Sequence, residues 1–104
     1  MTATRQPARI AVFAGQFASQ PLVYAHLLDE APALELEHVE VCQGTGLRAR
    51  LGAYFTADQV TDILVGLGEV DTCVLILPGA GTFEGSAKLT ALGIHDGTLL
   101  RAAP

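Results

Sequence analysis

Glycines and hydroxyl side chains are concentrated in one loop, PGAGTFEGS at residues 78–86. Free backbone N–H groups in such a loop, next to the N-terminus of a helix, favour an anion. A short helix is predicted to begin at Ser86, so this loop is a candidate anion site. The residues that would form it are Gly81, Thr82, Gly85 and Ser86, with Glu84 as a candidate general base.

The countercharge for such a site is predicted to come from the segment CQGTGLRAR, which follows the second predicted strand. Arg48 and Arg50 are two of only six basic residues in the chain, and arginine clamps phosphate or carboxylate through paired hydrogen bonds. Alternatively, the alternating pattern RARL places both arginines on the solvated face of a hairpin strand. Ser19 and Thr45, from the loops after the first two strands, complete the candidate ligand-binding residues.

Known catalytic and cofactor motifs do not fit the sequence. GAGTFEG differs from GxGxxG because its third glycine comes one position late, and GTFEGSAK lacks the hydroxyl that follows lysine in a Walker loop. There is no GxSxG motif, and the three histidines lack metal-ligand spacing, so no nucleophile is expected beside a base. We predict neither a cofactor nor a metal, and the sequence leaves open whether the chain is an enzyme.

Alternating strand and helix patterns indicate how these loops are positioned. Strand, helix, strand, helix, strand, short helix, strand is an α/β order, which predicts a small open sheet of about four mainly parallel strands with two to three helices. The loops after parallel strands would share one edge of the sheet, where ligands bind. The predicted strands are 9–15, 38–44, 71–78 and 97–102, and the predicted helices are 21–30, 56–68 and 86–92.

Length and composition limit the domain organisation and the partners. A chain of 104 residues fits one core, so we predict a single α/β domain at 9–104 after a disordered segment at 1–8. Half of the residues are apolar and only 16% are charged, which favours a homo-oligomer. The net charge of −5 argues against nucleic acid. No apolar run has the length of a membrane span, and two cysteines in strand patterns indicate reduced thiols and a cytoplasmic location.

The segments IAVFAGQFASQPLVYAHLLDEA, HVEV and DTCVLILPGAG resemble, in order and spacing, the IIB components of lactose and chitobiose phosphotransferase systems. The resemblance covers nearly the whole chain at the level of pattern and implies a four-stranded parallel α/β domain. In that family a cysteine at the end of the first strand carries phosphate. Ala14 and Gly15 occupy this place here, so only the architecture is implied and not the phosphotransfer.

A second resemblance covers residues 37–104. HVEVCQGTGLRARLGAYFTADQVTDIL looks like the hairpin and helix of a ubiquitin-like β-grasp domain, and KLTALGIHDGTLLRA looks like its closing segment. It implies an α+β fold in which residues 44–55 form a hairpin strand rather than a loop. The chain ends in Ala102, Ala103 and Pro104 instead of two glycines, so conjugation through the C-terminus is not expected.

Three functions follow as hypotheses. The first is a non-catalytic accessory or regulatory domain that self-associates and binds a small anionic ligand or a partner protein at the edge formed by its three glycine-rich loops. The second is a ubiquitin-like protein-interaction adaptor without C-terminal conjugation. The third is a small enzyme that uses Glu84 or His38 in an unidentified reaction.

Overall fold

The structure is a computed structural model that describes residues 3–102 as one four-stranded sheet with three α-helices. The strands lie in the order β2-β3-β1-β4, and each neighbouring pair is antiparallel. The strands are β1 (Ala3–Gly15), β2 (Val39–Gln43), β3 (Thr72–Ile76) and β4 (Thr90–Ala102), and the helices are α1 (Gln20–Glu30), α2 (Leu47–Gly52) and α3 (Ala57–Leu67).

The predicted mainly parallel α/β sheet is therefore wrong, and the fold is α+β. β1 and β2 run in the same direction, but β3 lies between them and runs the opposite way. The chain returns from α3 to the end of the sheet where β2 finished, and the N–H of Gly44 donates to the carbonyl of Asp71 there (3.3 Å). The α+β class of the alternative prediction is consistent with this sheet, although residues 47–52 form a helix and not a hairpin strand.

The last strand is much longer than predicted. The short helix expected at 86–92 is absent from this described segment, since β4 already begins at Thr90. β4 pairs with β1 from Ala14 opposite Thr90 to Ala3 opposite Ala102, and a bulge interrupts the register between Val12 and Phe13. The same pairing orders residues 3–8, which were predicted to be disordered. Residues 90–92 have helical spacing and residues 3–8 have a polar composition, but the long-range pairing of β1 with β4 makes both segments strands.

Hydrophobic clusters cover both faces of the sheet, because side chains alternate between the faces of each strand. α2 and α3 pack on one face, and α1 together with residues 77–89 packs on the other. The first cluster includes Ile10, Val12, Cys42, Leu51, Phe55, Ile63, Cys73 and Leu75. The second includes Phe13, Val23, Leu27, Val41, Val74, Ile76 and Leu89. Within residues 3–102, no helix is long and apolar enough to cross a membrane.

The start and end of α3 confirm the sequence prediction. The Thr56 hydroxyl accepts from the N–H of Gln59 (3.3 Å), and the Gln59 side chain accepts from the N–H of Thr56 (2.9 Å). This reciprocal capping box satisfies two N–H groups that the first turn leaves unpaired. Gly68 ends the helix with a φ of 65°, a conformation that glycine adopts without strain.

Side chains and loops engage the backbone of both outer strands. On β2, the carbonyls of Val39 and Val41 accept from the Tyr24 hydroxyl (3.5 Å) and the Gln20 amide (2.9 Å). On β4, the N–H of Thr98 donates to the carbonyl of Tyr54 (2.8 Å). Further hydrogen bonds along β4 join the Gln59 amide to the carbonyl of Asp96 (2.5 Å) and the His95 ring to the carbonyl of Leu92 (3.1 Å). Unpaired strand edges promote association by strand addition, and these contacts reduce that tendency.

We expect Gly97→Ala to destabilise the protein by about 1–3 kcal/mol, because the added methyl group overpacks the turn between α2 and α3. A Cβ at residue 97 would lie 2.8 Å from the carbonyl oxygen of Tyr54 and 2.9 Å from the Phe55 ring. Gly52→Ala is the matched control, since among the described residues nothing lies within 4 Å of its Cβ position. Urea unfolding of both variants checks the prediction, and equal effects would show that the turn tolerates the methyl group.

Candidate ligand-binding groove

The predicted ligand-binding residues do not form one site. β1 and β2 end at the same end of the sheet, so Ser19 and Thr45 both lie there. β3 runs in the opposite direction and ends beside Ala11 and the start of β2, which places Gly81 and Thr82 at the other end. Residues 77–89 then cross the face of the sheet to reach β4. The three glycine-rich loops therefore do not share an edge, because a sequence pattern does not encode strand direction.

The two arginines proposed as countercharges lie elsewhere on the molecule. Arg50 on α2 forms a salt bridge with Glu40 on β2, and the Tyr54 hydroxyl donates to the other oxygen of the same carboxylate (3.3 Å). Burial, together with the charge of Glu40 and this hydrogen bond, raises the pKa of Tyr54 to about 12. Arg48 lines a separate cavity that also involves Phe55 and Val60. The positive charge of Arg50 is thus neutralised within the protein.

A carboxylate occupies the end of the sheet where β1 and β2 finish. Asp71 accepts hydrogen bonds from the Thr72 hydroxyl (2.7 Å) and the N–H of Phe17 (3.3 Å). The Gln43 amide donates to the carbonyl of Phe17 (2.8 Å) and to the Thr72 hydroxyl (3.0 Å). This polar network joins three loops and brings a negative charge to the place where an anion was predicted to bind.

An apolar groove lies at the other end of the sheet, on the same face as α1. Among the described residues, α1 packs over β2, and residues 77–89 lie over the part of this face formed by β1 and β4. The cavity there measures about 300 Å³. It is lined by Arg9, Ala11, Ile76, Leu77, Pro78, Gly79, Gly81, Thr82, Phe83 and Ile94, and we call it the Phe83 groove.

A second cavity of about 190 Å³ adjoins the groove and shares Ala11, Phe83 and Ile94 with it. Phe83 stacks edge-on against Phe13, with ring centroids 4.8 Å apart. Glu84, the predicted general base, lines this second cavity and not the Phe83 groove. Ile94 is 61% exposed, an unusual position for a large apolar side chain on a sheet.

Arg9 supplies a positive charge at the groove. Its nearest anion is Asp96, with 3.7 Å between the guanidinium Nε and the carboxylate oxygen, and the Arg9 side chain is 77% exposed. An exposed pair at this distance contributes little and is easily exchanged for another anion. Sequence reasoning missed Arg9 because only the pairing of β1 with β3 and β4 brings it beside the loop 78–83.

The glycines of the loop satisfy a requirement of the backbone. Gly79 and Gly81 have φ values of 98° and 109°, a region that other residues rarely adopt. The tight turn lets the backbone of residues 78–82 form one wall of the groove. The glycines therefore position this wall, and they are explained without any contact to an anion.

Ser86 and His26 form a pair that the sequence prediction did not anticipate. The His26 Nε2 atom lies 2.7 Å from the Ser86 hydroxyl oxygen, so the expectation that no nucleophile lies beside a base was wrong. That oxygen also accepts from the N–H groups of Lys88 (3.3 Å) and Leu89 (3.2 Å). With both lone pairs engaged, the hydroxyl hydrogen is left to donate to His26. Ser86 thus fastens the loop 77–89 to α1.

No protein-family model, curated protein or solved structure matches the chain. Within the described part of the chain, no group of three or more His, Cys, Asp or Glu side chains is placed to hold a metal ion. The chemistry of the groove therefore has to be argued from its own residues, which are an apolar wall, one exposed guanidinium and one hydroxyl, that of Thr82.

Proposed function

We propose that the protein is a non-catalytic accessory or regulatory domain that binds a small ligand with an apolar body and an anionic group in the Phe83 groove. The observation that supports this proposal is the combination of an apolar groove with a weakly paired guanidinium. A volume of about 300 Å³ is at the lower end of the range for small-ligand sites. The cytoplasmic location predicted from the cysteines is part of the same proposal.

Both the apolar body and the anionic group of the ligand are needed for binding. A charge-assisted hydrogen bond to an arginine contributes about 1.5–3 kcal/mol, but Arg9 is largely solvated and would bind a bare anion weakly. Covering the exposed surface of Ile94 and Phe83 contributes about 25 cal/mol for each Å² of apolar area removed from water. Aromatic or branched aliphatic carboxylates therefore suit the groove better than inorganic phosphate does.

We expect Arg9→Gln to weaken binding of such a carboxylate about two- to fivefold while leaving the fold intact, because a guanidinium this exposed contributes at most about 1 kcal/mol. Phenylacetate and 3-methylbutanoate are suitable probes, with phenylacetamide and inorganic phosphate for comparison, and the rise in melting temperature as the readout. The control is Arg48→Gln, which removes an exposed charge from a different surface and should leave the shift unchanged.

The comparison ligands make the outcome decisive. A larger shift with phenylacetate than with either its amide or phosphate supports the proposal. A shift with phosphate alone that Arg9→Gln does not reduce would place anion binding outside the Phe83 groove and contradict the proposal. No shift with any of these compounds would contradict binding of small anions by this groove.

A protein-interaction adaptor is the second candidate, and the exposed side chain of Ile94 favours it. A partner would then cover the apolar surface that β1 and β4 leave open. Ile94→Asp should abolish binding to such a partner but change the melting temperature of the free domain by no more than about 4 °C, because substitution of a side chain this exposed changes stability by about 0.5 kcal/mol or less.

A further inference from the structure

β1 extends beyond the strand that pairs with one of its two edges. β4 pairs with β1 from residue 3 to residue 14. β3 pairs with β1 only from Gly15 to Ala11, which lies opposite Ile76 at the end of β3. Residues 3–10 of β1 therefore have β4 on one side and, among the residues that the structure describes, no strand on the other. We call the unpaired side of residues 5–9 the β1 open edge.

The backbone groups of Arg5, Pro7 and Arg9 point towards the open edge. Thr98 lies opposite Pro7, and its N–H donates to the carbonyl of Tyr54 outside the sheet (2.8 Å). Thr98 and Pro7 therefore turn their backbone polar groups away from each other. Because the residues of an antiparallel strand alternate between hydrogen-bonded and non-hydrogen-bonded pairs, Arg5 and Arg9 face the same way as Pro7.

The pairing of β3 with its other neighbour gives the same orientation. The N–H of Leu77 donates to the carbonyl of His38 on the β2 side (3.0 Å). The preceding residue, Ile76, therefore faces β1, and its partner Ala11 faces β3. Arg9 is two residues from Ala11, so it faces the same side just beyond the end of β3. In the part of the chain that the structure describes, no backbone group bonds to this edge.

The Phe83 groove lies where β3 leaves β1. Ile76 and the turn that follows it line the groove, and so do Arg9 and Ala11. The open edge starts at the same residue, Arg9, and runs from there towards Arg5. The apolar groove, an exposed guanidinium and a row of unpaired backbone groups are therefore adjacent to one another.

We propose that the ligand of the Phe83 groove is the C-terminus of a peptide, which continues as an added strand along the β1 open edge. The last residue of the peptide supplies the apolar body and the carboxylate. The residues before it form hydrogen bonds with the backbone between Arg9 and Arg5, a common mode of peptide recognition. The inference rests on the proposed function of the groove and identifies the class of its ligand.

The position of Arg9 sets the direction and the length of the peptide. With its carboxylate at Arg9 and its body towards Arg5, the peptide runs parallel to β1. At about 3.3 Å per residue, about four residues of the peptide span residues 5–9. Pro7 contributes a carbonyl and no N–H, which is the usual position of a proline in a strand, on an edge that lacks a partner.

A second copy of this chain is a poor occupant of the same edge. Pairing that uses the whole edge is antiparallel about a two-fold axis at Pro7, which places Arg5 of each copy opposite Arg9 of the other. Like charges directly opposite one another destabilise a strand pair, and the two prolines have no N–H to donate to each other. A peptide without basic residues avoids this repulsion and supplies the carboxylate that pairs with Arg9.

Calorimetric titration of the full chain tests the class of ligand. The probe is the N-acetylated hexapeptide threonine-glutamine-threonine-glutamine-threonine-phenylalanine with a free carboxylate, and N-acetylphenylalanine represents its last residue alone. We expect the hexapeptide to bind about tenfold more tightly or better, because it adds at least two backbone hydrogen bonds. Amidation of its C-terminus should weaken binding about two- to fivefold.

Hydrogen exchange locates the added strand. The amides of Arg5 and Arg9 should exchange about tenfold more slowly or less when the hexapeptide is bound, because they then donate to its carbonyls. The amides of Gln6 and Ala8 face β4 and are the internal control, which should change little. Equal slowing of all four amides, or no slowing, would overturn strand addition.

The two experiments separate this inference from the proposal on which it rests. If N-acetylphenylalanine binds and the hexapeptide binds no more tightly, the peptide inference fails and the groove proposal stands. If neither compound binds, both fail. Protection of Arg5 and Arg9 that rises with protein concentration in the absence of peptide would assign the edge to a second copy and overturn the inference.

Discussion

Raising the pH above about 9 is expected to destabilise this protein progressively, because two buried thiols resist ionisation in the folded state. Burial raises the pKa of Cys73 from 9.0 to about 12, and burial together with the neighbouring Cys73 and Glu40 raises that of Cys42 to about 12. The unfolded chain releases these protons near pH 9 while the folded chain retains them. The stabilisation is therefore complete below pH 9 and is lost as the pH rises towards 12.

The effect should be large, since each thiol contributes at most roughly 4 kcal/mol across this range. The two side chains lie directly opposite one another on β2 and β3, and both belong to the same hydrophobic cluster. Denaturant unfolding at intervals from pH 7 to pH 11 measures the effect. In the variant with both Cys42→Ala and Cys73→Ala, the unfolding free energy should fall much less steeply above pH 9. Part of the fall should remain, because the pKa of Tyr54 is also raised. An unchanged slope in this variant would show that other groups cause the alkaline sensitivity.

Ser86→Ala is expected to lower the free energy of unfolding by about 1–2 kcal/mol, because it removes the hydroxyl that bonds the ring nitrogen of His26 and the N–H of Lys88. The N–H of Leu89 keeps its second acceptor, the backbone carbonyl of residue 86. Ser19→Ala is the matched control. Ser19 stands at the N-cap of α1 but makes no side-chain capping bond in the described structure. The control should change stability by less than about 0.5 kcal/mol.

The same substitution has a second consequence for the groove. Residues 77–89 carry Phe83 and Thr82, so loosening their attachment to α1 should also weaken ligand binding. Hydrogen exchange of the amides of residues 82–89 provides a local measure, and it should accelerate in Ser86→Ala but not in Ser19→Ala. Equal stability and equal exchange in the two variants would show that the contact with His26 does not fasten the loop.

Local signals in the sequence were sufficient to predict several elements. The Thr56 capping box, the proline near the start of α1 and the unbroken apolar run of β3 depend on neighbours within a few residues, and the structure contains each of them. The interior position of β3 also followed from its composition, because a strand buried on both faces has no polar alternation.

Strand direction, in contrast, depends on where the chain returns after α3, and no local pattern records this. Because the predicted strand direction was wrong, the predicted ligand-binding site was wrong as well. Three loops that would share an edge in a parallel sheet lie at different ends of an antiparallel one. His26 and Ser86 are separated by sixty residues, and Arg9 gains its surroundings only through pairing with β4. Motifs and residue spacing therefore could not predict these contacts.

The central claim, that the Phe83 groove is the ligand-binding site, is tested most directly by titrating the uniformly ¹⁵N-labelled full chain with phenylacetate and following the amide resonances. We predict saturable shifts at Ala11, Phe83 and Ile94, and Arg9→Gln should raise the dissociation constant that these shifts report. Saturable shifts confined to Ser19 and Thr45, or a spectrum that does not change at millimolar phenylacetate, would contradict the claim.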